Sequence, residues 1–139
     1  MSEVEKLHGL IDVPQREAAL LLEAGYLYLE MGKQAEAAEV FAGVAALLPQ
    51  SDVPLVALGN LEFSQGHFQR ALKHHQDALK VRPDSALALA HAGEALLWLK
   101  KTAEGKAALT KAIALDPASA PAQFAQALLD AHHQGALDR

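Results

Sequence analysis

The chain has 139 residues, a length that suits one domain, and 51% of them are hydrophobic. A net charge of −5 lacks the basic face that nucleic-acid binding calls for, and the absence of cysteine excludes disulfides and thiol chemistry. Uncharged stretches such as Phe41 to Ser51 are far shorter than the ~18 apolar residues that span a bilayer, and the acidic start Met-Ser-Glu-Val-Glu-Lys argues against a secretory signal.

Residues 1–13 read as a lead-in with a short helix from Ser2 to Leu10. Asp12 is placed to cap the next helix, and Pro14 sits near its start, where proline is tolerated. A first helical hairpin then runs from Pro14 to Leu48 with its turn at Met31-Gly32-Lys33. The second spans Asp52 to Val81 and turns at Gln65-Gly66-His67. The third spans Ser85 to Leu115, and its turn, Leu99-Lys100-Lys101-Thr102, lacks the glycine of the other two. Each hairpin ends at a proline with a polar residue soon after it, so one helix stops and Ser or Asp caps the next. A last helix, Ser119 to His133, carries Gln123, Gln126, Asp130 and His132. That polarity suits a terminal capping helix, and Gly135 and the charged end are expected to fray.

Two sets of these marks share one period. Gly25, Gly59 and Gly93 stand 34 residues apart, as do Pro49, Pro83 and Pro117. A period of this length is the signature of stacked helical hairpins that bury a continuous core together. The expected fold is all-α, a right-handed superhelical solenoid of three hairpins plus a C-terminal capping helix. Such arrays are platforms for binding.

The pattern resembles the tetratricopeptide repeat family over about residues 18–133. The resemblance divides residues 14–139 into repeats at about 18–51, 52–85 and 86–119, with the capping helix at about 119–133. In that family the first helix of a repeat carries a large apolar, a small and a bulky residue. Here these are Leu21, Gly25 and Tyr28, then Leu55, Gly59 and Glu62, then Leu89, Gly93 and Leu96. The second helix usually carries Ala, an aromatic, Ala and Pro. The first repeat has Ala37, Phe41, Val44 and Pro49, and the second has Ala71, His75, Ala78 and Pro83. The third departs, with Gly105 and Leu109 before Ala112 and Pro117. A helical glycine costs up to ~1 kcal/mol against alanine, so the third hairpin is expected to be the looser one.

The resemblance implies a concave groove lined by the first helix of each repeat. Leu22, Tyr26 and Leu29 form a stripe at i, i+4, i+7, and the same phase gives Val56, Asn60 and Phe63, then Ala90, Glu94 and Leu97. A groove so lined is mostly apolar and suits an extended peptide or an amphipathic helix. The competing reading is that the stripe is core, covered by the lead-in or by a second copy of the chain. The family's carboxylate-clamp site needs Lys, Asn and Arg. Leu22, Tyr26, Val56 and Ala90 stand at those places and only Asn60 fits, which disfavours that ligand. Ala92-Gly93-Glu94-Ala95-Leu96-Leu97 resembles the third repeat of chaperones of type III secretion systems. Residues 1–13 are short for the dimerising helix those chaperones carry.

These features imply a non-catalytic, cytoplasmic binding module, most simply a chaperone of a type III secretion substrate. The alternatives are a general scaffold for complex assembly and, remotely, a metal-binding protein using His91 and Glu94. An open apolar groove also predicts a weak homodimer through residues 1–29 in the absence of partner. No cofactor is expected. Adjacent histidines such as His74 and His75 point ~100° apart on a helix and do not share an ion easily. His75 is expected to be a partly buried spacer where an aromatic usually packs. Trp98 is expected to pack near its turn, the other option being an anchor at the edge of the groove.

Overall fold

The computed structural model describes residues 3–135, and their side chains from Gln15 onward. Among the described residues there are seven α-helices and no strand. They fall into two compact units that divide at Pro49 and Gln50.

The first unit is one hairpin, α1 (Glu3–Glu30) and α2 (Gln34–Leu47). The break expected at Asp12 and Pro14 is absent. Helix α1 runs unbroken for 28 residues, with Asp12 inside it rather than at a cap. Pro14 removes one backbone donor, but helix formers such as Leu10, Arg16, Glu17, Ala18 and Ala19 flank it and carry the helix across. The expected start at Ser2 and the charged end after Gly135 lie outside the described residues; Gly135 itself, expected to fray, donates its N–H to the His132 carbonyl oxygen at 3.0 Å. Between the helices Gly32 adopts φ +77°, the left-handed region that suits glycine. Ala18, Ala37, Phe41 and Val44 form the buried seam of this hairpin. A Cβ added at Gly25 would stand 2.4 Å from the Phe41 ring, so the glycine lets the two helices close on that ring.

The second unit contains α3 (Val53–Ser64), α4 (Phe68–Val81), α5 (Ala86–Trp98), α6 (Thr102–Leu115) and α7 (Ala120–His133). Helices α3 with α4 and α5 with α6 are hairpins, and α7 packs on both α5 and α6. Gly59 and Gly93 repeat the close approach of Gly25, against His75 and Leu109 respectively. The core follows the small residues. Ala71, Leu72, Ala92, Ala95 and Leu96 form one cluster. Leu89, Ala90, Leu97, Leu109, Ala112 and Ala125 form another, on which Phe124, Leu128 and Leu129 of α7 and α5–α6 residues pack. Gly105 does not loosen the third hairpin as the sequence suggested. A Cβ there would lie 3.0 Å from Leu97 and 3.1 Å from the Gly93 carbonyl oxygen, so its absence permits a close α5–α6 contact.

The turn after α3 contains Gly66 at φ +81°, and the matching position after α5 is Lys100 at φ +64°. The conformation persists where its usual residue does not, because the hairpin closes on the same bonds: Lys101 N–H donates to the Leu96 carbonyl as His67 N–H does to that of Glu62.

Ser85 and Ser119 cap α5 and α7, their hydroxyls accepting from the amides of Ala88 at 3.0 Å and Ala122 at 3.2 Å. Asp52, before α3, makes no side-chain cap bond. It is buried, and it accepts a hydrogen bond from the Ser85 hydroxyl at 2.5 Å with the Arg82 guanidinium 3.7 Å away.

Candidate functional site

The nine stripe residues do not share one environment. On α1, Leu22, Tyr26 and Leu29 are partly exposed. Leu22, Glu23, Tyr26, Leu27 and Glu30 line an open hollow of about 460 Å³ on that helix. One side of Tyr26 is anchored, its ring 4.9 Å from that of Phe41 on α2. The hollow therefore combines apolar surface with two carboxylates, on a helix held by its hairpin partner.

In the second unit the same phase is mostly closed. Val56, Ala90 and Leu97, expected to face the groove, are 1%, 0% and 3% exposed. Val56 packs with Ala78 and Ala88. Helix α5 is covered by α3 and α4 on one side and by α6 and α7 on the other, which closes over Ala90 and Leu97. The cause is composition: Ala88, Ala90, Ala92, Gly93 and Ala95 let neighbouring helices approach α5 on several faces. These three residues are core, covered by neighbouring helices of their own unit rather than by the lead-in or a second copy.

Asn60, Phe63 and Glu94 keep part of their surface. Phe63 belongs to a ring cluster at the turn end of α3 and α5. It stands edge-on to Phe68 at 4.9 Å and to Trp98 at 6.2 Å, while Phe68 and Trp98 stack at 5.8 Å. Trp98 thus packs near its turn, half-buried, as the sequence predicted. Phe68 had been overlooked, although its place opening α4 next to the turn was the available signal. Glu94 and His91 lie one helical turn apart, carboxylate to Nδ1 at 3.4 Å. The His91 ring is 4.8 Å from Phe124 and 5.7 Å from His75.

His75 was expected to be partly buried and is wholly buried. Burial foremost, and the neighbouring His91 and His74 after it, lower its pKa to about 3. Neither ring nitrogen has a hydrogen-bond partner among the described residues. The described residues contain no group of three or more His, Cys, Asp or Glu placed to hold a metal ion. No described helix is long and apolar enough to cross a membrane.

Comparison with known proteins agrees with this geometry. A tetratricopeptide repeat family model matches residues 19–51. Comparison with curated proteins gives no match. Among solved structures, the type III secretion translocator chaperone SycD of Yersinia enterocolitica superposes with a TM-score of 0.73 at 19% identity, covering 88% of this chain and 94% of its own. The first TPR of Spaghetti (RPAP3), bound to the HSP90 peptide SRMEEVD, gives a TM-score of 0.66 at 24% identity, with coverages of 82% and 94%. The second TPR domain of human RPAP3, in complex with the HSP70 peptide SGPTIEEVD, gives 0.66 at 19% identity, with coverages of 84% and 98%. Residues 19–51 carry a recognised tetratricopeptide repeat, and the chain has the all-α hairpin fold of tetratricopeptide repeat domains.

Proposed function

We propose that this chain is a non-catalytic protein-interaction module that shelters an apolar segment of a partner protein, and that it serves as a chaperone of a type III secretion substrate in the cytoplasm. The observation that carries the binding reading is the hollow on α1, where Leu22 and Tyr26 keep apolar surface open to solvent. Exposed apolar surface held on a rigid helix is what a protein ligand covers. The chaperone reading draws on the likeness of fold to SycD and on the run Ala92-Gly93-Glu94-Ala95-Leu96-Leu97.

The peptides bound by the RPAP3 domains end in Glu-Glu-Val-Asp. Such an acidic end calls for cations, whereas this chain has Leu22, Tyr26, Val56 and Ala90 at the corresponding places. An aliphatic segment is the better fit. With a net charge of −5 the reading includes no nucleic acid, and weak self-association is its expectation in the absence of partner.

The test is Leu22→Ala with Tyr26→Ala, assayed by co-purification with a co-expressed translocator substrate. Each buried side chain contributes ~1.5–3 kcal/mol, so the pair should weaken binding by about a hundredfold or more. Circular dichroism checks that the variant is folded, since Tyr26 also contacts Phe41. A folded variant that holds the substrate as tightly as the parent would remove the hollow from the site.

A further inference from the structure

We propose that a second surface, the outer face of α1, docks a cationic amphipathic helix of a partner protein. Leu20, Leu27 and Met31 stand at i, i+7 and i+11 and so share one face of the helix. They are 66%, 57% and 57% exposed, and Leu21 beside them is 44% exposed. The face of α1 that carries Ala18 and Gly25 is buried in the hairpin. The helix is therefore apolar on two faces, and its hairpin partner covers one. Leu22, Tyr26 and Leu29 lie off this outer stripe; Leu27 and the flanking Glu23 and Glu30 are shared with the hollow.

Charge decides the occupant. Glu17, Glu23 and Glu30 are exposed along the stripe, with Arg16 and Lys33 the only cations near it in sequence. Residues 1–49 contain eight Asp and Glu against three Lys and Arg, whereas residues 50–139 contain nine of each. The whole net charge of −5 thus belongs to the unit that presents the stripe. A second copy meeting it face to face would bring the same carboxylates together, a repulsive arrangement. A helix with aliphatic anchors flanked by Lys or Arg satisfies both features, and its encounter would be steered by the acidic unit.

The experiment uses the full chain and a labelled synthetic amphipathic helix of leucine and lysine, read by fluorescence anisotropy. A leucine–glutamate helix and a scrambled leucine–lysine peptide serve as comparisons. Binding is expected for the amphipathic cationic peptide alone, weakening as salt rises. Leu20→Ser with Met31→Ser, two exposed positions outside the hollow, should reduce affinity by about tenfold or more, given the apolar area each covers. Glu17→Gln, at an exposed carboxylate outside the hollow, should weaken binding and flatten the salt dependence. The proposal is overturned if the scrambled peptide binds equally or if the Leu20 and Met31 variant binds as tightly as the parent. It is also overturned if the face instead joins two copies of the chain, in an association that strengthens with salt. The Leu22→Ala with Tyr26→Ala variant reports on the hollow, so the two readings fail separately.

Discussion

Replacing His75 by phenylalanine should stabilise the protein, and the gain should grow as pH falls. His75 is fully buried, with both ring nitrogens unpartnered among the described residues. A buried polar atom left without a partner costs about 1–3 kcal/mol. The slot accepts a phenyl ring by precedent within the chain. Phe41 lies against Gly25 at 2.4 Å as His75 lies against Gly59 at 2.3 Å, each distance taken to a Cβ built on the glycine. At pH 7 the variant should therefore be more stable by at least about 1 kcal/mol. Below that pH a second effect enters. Burial holds the folded pKa at about 3 against an ordinary 6.5, so between these values the unfolded chain binds a proton that the folded chain refuses. The stability that neutral His75 confers is complete above 6.5 and is lost as pH falls toward 3, at ~1.4 kcal/mol per pH unit. Two units below 6.5 the parent has lost about 2.7 kcal/mol from this group, and the phenylalanine variant none. The assay is urea denaturation of both proteins at pH 7 and at pH 4.5, compared as a difference so that titration common to both cancels. A difference that stays constant over this range would refute the argument, as would a variant less stable than the parent at pH 7.

Three further changes test the backbone. Lys100→Gly should raise stability by roughly 0.5–1 kcal/mol, because a left-handed residue with a side chain is strained by ~1–2 kcal/mol and the entropy lost by glycine offsets part of that; thermal denaturation reads it. Gly43→Ala and Gly59→Ala should act in opposite directions. Nothing lies within 4 Å of a Cβ at Gly43, so alanine there should add about 0.5–1 kcal/mol of helix propensity. At Gly59 it would meet the His75 ring, costing ~1–3 kcal/mol. Paired melts that show the same sign for both would contradict the packing described.

The hairpins were legible because their punctuation is local. Proline disfavours helix continuation and glycine adopts a positive φ cheaply, so Gly32 and Gly66 mark turns regardless of what packs around them. Lys100 shows that the fold holds such a turn without the glycine signal. The candidate site was less legible. Periodicity reports which residues share a phase on their own helices, and it put Val56, Ala90 and Leu97 in the same phase as Leu22 and Tyr26. It does not report how many neighbours a helix acquires, and the alanines of α5 admit neighbours over most of its surface. Helix α1, richer in leucine than in alanine, keeps apolar residues in the open. Its continuity through Pro14 is not what the sequence suggests, because a proline two residues after an aspartate reads as a start, whereas one lost hydrogen bond does not stop a helix with good formers on both sides.

The hydrogen bond between Ser85 and Asp52 bears on how the second unit comes apart. In a repeat array, stability is close to a sum of terms within each hairpin and terms across each junction. Asp52 opens the second hairpin and Ser85 the third, so this contact is a junction term. Peeling the third hairpin away would break this hydrogen bond and open the Asp52 carboxylate to water, with the Arg82 guanidinium still beside it. That loss disfavours stepwise fraying from the C-terminal end. The amides of α3 to α6 should accordingly exchange with solvent as one cooperative block, slower than a free-standing hairpin of the same length would allow.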